Sequence, residues 1–188
     1  MLVLASSSPR RIELLRNAGI PFESQAPDVP EVPRPGERPL EMAMRLARAK
    51  ADAIAQARPE AFVLGADTIV IVDGKALGKP NDAADAARML RLLSDRDHEV
   101  STALCLVMPN LRERITTQET TRVHFSLLTD ADISAYVATG EPMDKAGAYA
   151  IQGIAGKWID RIEGDYFNVV GLPVAKCYRI LKQSGALK

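Results

Sequence analysis

The chain carries no net charge, 24 lysines and arginines balancing 24 aspartates and glutamates. Nothing in that balance suggests a general nucleic-acid surface or an acidic tail, so any basic site must be local. Aromatic residues are also scarce, at 5%, which weighs further against a nucleic-acid-binding module. The two cysteines, Cys105 and Cys177, sit in apolar patterns and read as core thiols; no CxxC or Cys/His ligand spacing supports a structural zinc. His98 and His124 are isolated and read as structural. No apolar run is long enough to span a bilayer. Met1-Leu2-Val3-Leu4-Ala5 passes straight into polar residues, too short for the apolar region of a signal peptide. The expectation is a soluble, cytoplasmic protein. Three chemical motifs are missing as well: Gly78-Lys79 is followed by Pro80 and Gly156-Lys157 by Trp158, so there is no phosphate-binding GxxxxGK[ST] loop. Neither a GxGxxG dinucleotide fingerprint nor a GxSxG nucleophile elbow occurs.

What is present suits one domain of 188 residues, with ordinary fractions of hydrophobic (47%) and charged (26%) residues. The central stretch is Val63 to Val72, a long apolar strand with one carboxylate, Asp67, in its middle. Desolvating a charge costs several kcal/mol, so Asp67 must reach solvent at a cleft, face cations, or cap a neighbouring turn. Asp73-Gly74 then marks a tight hairpin whose return limb ends at Leu77-Gly78-Lys79-Pro80.

Upstream, Leu2 to Ala5 reads as a buried strand and Ser8-Pro9 as the start of a helix with Ile12, Leu15 and Ala18 inward. Arg10 and Arg11 stand in the first turn of that helix, where the dipole favours acids and each cation forfeits roughly 0.3–1 kcal/mol. A bound anion would resolve the conflict, held by backbone N–H groups and guanidinium forks; two arginines splayed into water would not need one. Residues 26–39 form a proline-rich loop containing Glu31, which composition alone does not single out. The next helix runs from about Leu40 to Gln56, with Lys50 on its apolar stripe. Such a lysine usually snorkels to solvent, and the sharper alternative aims it at Asp67.

Farther on, a helix opens at Asn81 or Asp82, strands run over about His98–Met108 and onward to Phe125, and Thr129-Asp130-Ala131-Asp132 resembles a capping box. Gln152, in a glycine-rich stretch, is suited to reading a nucleobase edge or to bonding main chain. Lys157–Ile162 and Tyr166–Val170 read as a hairpin around Gly164-Asp165, followed by a helix with Val174, Cys177, Tyr178 and Leu181 inward. The cations Arg10, Arg11, Lys50 and Lys79 with the carboxylates Glu31 and Asp67 match hydrolytic phosphate chemistry, in which a carboxylate activates water.

Together these segments resemble the Maf family of nucleoside triphosphate pyrophosphatases. The resemblance rests on Leu4-Ala5-Ser6-Ser7-Ser8-Pro9-Arg10-Arg11, Arg45-Leu46-Ala47-Arg48-Ala49-Lys50-Ala51, Gly65-Ala66-Asp67-Thr68, Gly78-Lys79-Pro80, Asp144-Lys145-Ala146-Gly147-Ala148-Tyr149 with Ile151-Gln152-Gly153, and Val170-Gly171-Leu172-Pro173. It implies an α/β fold, a mixed twisted sheet flanked by helices with two lobes around a deep central cleft (Maf/ITPase-like), residues 1–188 forming a single domain. It also implies a house-cleaning hydrolase that cleaves a nucleoside triphosphate between the α and β phosphates. In that likeness Asp67 is the proton acceptor, and Ser6, Arg11, Lys50 and Lys79 hold the phosphates. Glu31, Asp67 or both face a divalent cation, Mg²⁺ or Mn²⁺. Arg10, Thr68 and Gln152 fall at the specificity positions. Thr68 and Ala148-Tyr149 with Gln152 are similar to the branch acting on dTTP and UTP; the sequence does not choose between ordinary and modified pyrimidine nucleotides as the cellular substrate. The likeness implies a homodimer, with neither nucleic acid nor membrane as partner. The competing reading is a nucleotide-binding regulator of cell division without important turnover.

Overall fold

A computed structural model describes residues 1–187. The elements follow in the order β1 (Leu2–Ala5), α1 (Pro9–Asn17), β2 (Glu23–Gln25), α2 (Pro39–Ala57), β3 (Phe62–Val72), β4 (Lys75–Leu77), α3 (Ala83–Leu93), β5 (Arg96–Val107), β6 (Arg114–Phe125), α4 (Asp130–Ala138), β7 (Ile159–Glu163), α5 (Tyr166–Val170) and α6 (Val174–Gln183). The strands form one seven-stranded mixed sheet in the order β2-β1-β3-β5-β6-β7, with β4 added on β3. β1 lies parallel to both β2 and β3, opposing Ala5 to Gln25 and to Gly65. β4 and β7 are antiparallel additions. The fold is thus mixed α/β, as expected.

Two compact units are present. The first comprises residues 1–68, 102–119 and 171–188, and the second residues 69–101 and 120–170. In the first, Leu4, Leu15, Leu46, Leu64, Leu104 and Leu181 are fully buried, each worth about 1.5–3 kcal/mol over exposure. In the second, Leu90, Leu93, Phe125, Ile133, Tyr136 and Trp158 form the core.

Local chemistry explains most boundaries. α2 starts after Arg38, where Glu41 reaches back to the Arg38 N–H, and stops at Arg58-Pro59, because a residue before proline avoids helical angles. Thr129 and Asp132 make the expected reciprocal cap of α4. Asp82 caps α3 by accepting the Asp85 N–H at 2.8 Å. Both Asp73 and Gly74 take positive φ, the combination a tight hairpin turn needs.

Three expectations need correction. α1 buries Arg11, Leu14 and Leu15 rather than Ile12 and Ala18, because hydrogen bonds draw the Arg11 side chain inward. Tyr166–Val170 is a short helix, not the second limb of a hairpin. Asp165 Oδ1 accepts the N–H groups of Phe167 and Asn168 at 2.7 and 3.2 Å, an N-cap that overrides the strand-like Tyr-Phe and Val-Val. In α6, Cys177, Ile180 and Leu181 are buried, whereas Tyr178 is exposed. The edge strand β2 was not anticipated; its Glu23-Ser24-Gln25 carries no apolar pattern.

Candidate active site

The geometry begins where α2 meets β3. A Cβ on Gly65 would lie 2.2 Å from the Ala47 carbonyl oxygen and 2.9 Å from the Ala51 Cβ. Only glycine on the strand, facing alanines on the helix, permits this backbone approach. Lys50, between those alanines, is thereby brought to the strand instead of to water. Its side chain is 10% exposed, and its Nζ lies 2.6 Å from Asp67 Oδ1 and 2.5 Å from Glu31 Oε1. The snorkel is therefore not what happens. Burial pushes the Asp67 carboxyl up from the usual range, while Lys50 and Arg11 pull it down and Glu31 pushes it up again. Among the described residues Asp67 Oδ2 takes no hydrogen bond, and it is not sealed from solvent.

Arg11 holds the residues on either side of Asp67. Its Nη1 donates to Ala66 O, Nη2 to Thr68 Oγ1 and Nε to Gly171 O, each at 2.9 Å. Burial lowers its pKa, and Asp67 and Glu31 oppose that shift; a guanidinium stays charged regardless. Thr68 Oγ1 also lies 2.9 Å from Thr102 Oγ1. Its hydroxyl is thus committed to the protein. Ser6, at the end of β1, is buried, and its Oγ accepts the Ser8 N–H at 3.1 Å, tightening the turn into α1. Arg10 makes no hydrogen bond among the described residues.

Glu31 belongs to a loop without regular structure, yet its carboxylate is placed. Arg45, five residues before Lys50 on α2, forks onto Glu37 at 2.5 and 2.7 Å and donates to Val32 O at 3.1 Å. The hydrogen bonds from Arg45 hold the Glu37 carboxyl at a pKa of about 2. This strap, missed from sequence, ties down the residue next to Glu31. Arg45 stands inside the second quoted motif, but its partners lie in the proline-rich loop and carry no local signal.

Lys79 and Gln152 belong to the second unit. Gly78 O accepts the Gly147 N–H at 3.0 Å, joining the residue before Lys79 to the Asp144–Tyr149 motif. Both the Lys79 ammonium and the Gln152 amide are exposed and unbonded among the described residues. The structure thus gathers Glu31, Lys50 and Asp67 at one point and Arg11 with Thr68 beside it, and it places Lys79 after β4 and Gln152 on a turn, both in the other unit.

Residues 1–184 match the model of the Maf-like protein family. The chain belongs to the Maf family. It is 55% identical over 186 residues to the dTTP/UTP pyrophosphatase of Koribacter versatilis, covering 99% of this chain and 95% of that one. It is 52% identical over 186 residues to the dTTP/UTP pyrophosphatase of Geobacter sulfurreducens, with 99% and 97% covered. The solved structure of the Staphylococcus aureus Ham1 protein superposes with a TM-score of 0.54 at 17% identity, covering 97% of this chain and 98% of that one. That likeness is one of fold. Within the Maf chain itself, no described helix is long and apolar enough to cross a membrane.

Proposed function

We propose that this Maf protein hydrolyses dTTP and UTP to the monophosphate and pyrophosphate. The observation that carries the chemistry is Asp67, a carboxylate whose burial raises its proton affinity while one oxygen stays open to water. A base shifted toward neutrality is suited to taking a proton from attacking water. Asp67 takes that proton as the water oxygen bonds to the α-phosphorus. The bond from that phosphorus to the oxygen bridging to the β-phosphate then breaks, and pyrophosphate leaves. Lys50, Lys79, Arg11 and the Ser6 hydroxyl hold the phosphates. Arg10, Thr68 and Gln152 select the base, Thr68 by its fixed shape because its hydroxyl is already engaged.

A divalent cation fits Glu31 and Asp67. The two carboxylates converge on the positive charge of the Lys50 ammonium, although no group of three or more ligating side chains exists among the described residues. Two carboxylates plus substrate phosphates suit Mg²⁺ or Mn²⁺, which would neutralise phosphate charge. The same reading takes residues 1–188 as one domain acting as a cytoplasmic homodimer.

A pyrophosphate-release panel over ordinary and modified nucleoside triphosphates, with Mg²⁺ and with Mn²⁺, tests the proposal. Fastest release from dTTP and UTP, or from a modified pyrimidine triphosphate, is expected. Binding without release from any of them would leave the nucleotide-binding regulator as the better reading.

A further inference from the structure

The Gln152 amide is exposed and unbonded among the described residues, so its direction depends on the backbone that carries it. Besides the main-chain bond from Gly153 N–H to Ala150 O, one side chain among the described residues holds that backbone. Ile154 N–H donates to the Glu141 carboxylate, 3.1 Å from Oε1 and 3.3 Å from Oε2. The buried Tyr136 donates its hydroxyl to the same Oε1 at 2.9 Å. Glu141 is itself fixed through its main chain, its N–H on Thr139 Oγ1 at 3.2 Å and its carbonyl accepting from Lys145 Nζ at 2.6 Å. Gly153 completes the fit, because a Cβ there would sit 2.0 Å from Oε1 and expel the carboxylate. Among the described residues the carboxylate makes no ion pair, so the main-chain N–H and the tyrosine hydroxyl are what it serves.

We propose that Glu141 is a positioning residue for base selection, clipping the Gln152-Gly153-Ile154 turn to the end of α4 so that the Gln152 amide presents one fixed hydrogen-bonding edge. The proposal rests on the reading of Gln152 as a base-selecting residue. It accounts for two features that phosphate chemistry does not use, the glycine after Gln152 and the acid that follows Gly140.

The test compares kcat and KM for dTTP and UTP against dCTP and GTP in the full chain. Glu141→Ala is expected to cut the preference by about tenfold, the scale of one lost discriminating contact, through KM and with saturated turnover on dTTP nearly unchanged. Glu141→Gln should restore the preference, since one amide oxygen can accept both donors. Glu141→Asp keeps the charge but withdraws it by one methylene, and so should behave like Glu141→Ala even if the alanine variant folds poorly. Combining Glu141→Ala with Gln152→Ala should lose no more than Gln152→Ala alone, because both act through one amide. If Glu141→Ala and Glu141→Asp keep the preference while Gln152→Ala loses it, the clip is wrong and base selection by Gln152 stands. If Gln152→Ala keeps the preference, Gln152 leaves the base-selecting set and the proposal falls with it.

Discussion

Each unit of the molecule buries a polar pair beside its core, and these two pairs are opposites. Lys50 and Asp67 meet at 2.6 Å, each 8% exposed. His98 Nε2 and the Tyr149 hydroxyl meet at 2.7 Å, at 3% and 5% exposure. Burial lowers the His98 pKa to about 4 and raises that of Tyr149, so the second pair is neutral at pH 7. Packing supports it: the imidazole stands edge-on to Phe125 and to Tyr149, at 5.2 and 5.4 Å between centroids. The first pair sits against a second carboxylate and a buried guanidinium instead. A neutral pair costs a core less than buried ions, which recover their desolvation only in part, even with His98 Nδ1 left without a hydrogen-bond partner among the described residues. The proposed chemistry gives the fold a use for a buried charge where a neutral pair would serve packing.

The largest effect should come from changing the charged pair without changing its shape. Asp67→Asn is expected to lower kcat for pyrophosphate release by about 10³-fold, the range of a lost general base, while nucleotide still binds. Turnover near that of the wild type, with binding retained, would take the base role away from Asp67. Removing the cation instead should appear as instability. Lys50→Met leaves Asp67 and Glu31 facing each other and is expected to cost about 3 kcal/mol at pH 8, as when one partner of a buried pair is lost. The sign with pH follows from Asp67, whose folded pKa is raised: the native state binds its proton more tightly than the unfolded chain, so stability is lost as pH rises through the folded value. The deficit of Lys50→Met should therefore narrow at pH 5. Urea unfolding at the two pH values measures it, and an equal deficit at both would mean that Asp67 does not titrate as argued.

What the sequence made legible was mostly local. The strand-turn-helix from Leu2 to Asn17, the Thr129–Asp132 cap and the Asp73-Gly74 hairpin are each set by neighbouring residues, and each lies where expected. Lys50 was ambiguous because a helical stripe does not say whether its neighbour is water or a strand. The answer lies in Gly65 meeting Ala47 and Ala51, contacts between residues far apart in the chain. Arg45 with Glu37, and Glu141 with Ile154, gave no signal for the same reason. The Tyr166–Val170 segment misled because its side chains favour strands, and only the Asp165 cap made it a helix. Roles for individual site residues came from family likeness; spacing alone left Asp67 open between a cap and a base.

The smallest effect isolates the neutral pair. His98 titrates near 6.5 when unfolded and at about 4 when folded. Burial is the main cause; Asp97 raises the value, and Arg96 and His124 lower it further. Between those values the unfolded chain binds more protons, so stability rises with pH across the window and is lost as pH falls through it. From pH 7 to pH 5 the loss should be about 2 kcal/mol. Carboxylates held low in the fold, such as Asp97 and Asp132, lose their contribution mainly below pH 4; Asp67, whose pKa is raised, acts with the opposite sign and cancels when wild type is compared with a His98 variant. His98→Gln cannot take up the proton, so it should be less stable at pH 7, and its deficit against wild type should shrink by about 2 kcal/mol at pH 5. A deficit of the same size at both pH values would mean that the imidazole is accessible to protons in the folded state, and the contrast between the two buried pairs would then be one of packing and not of charge.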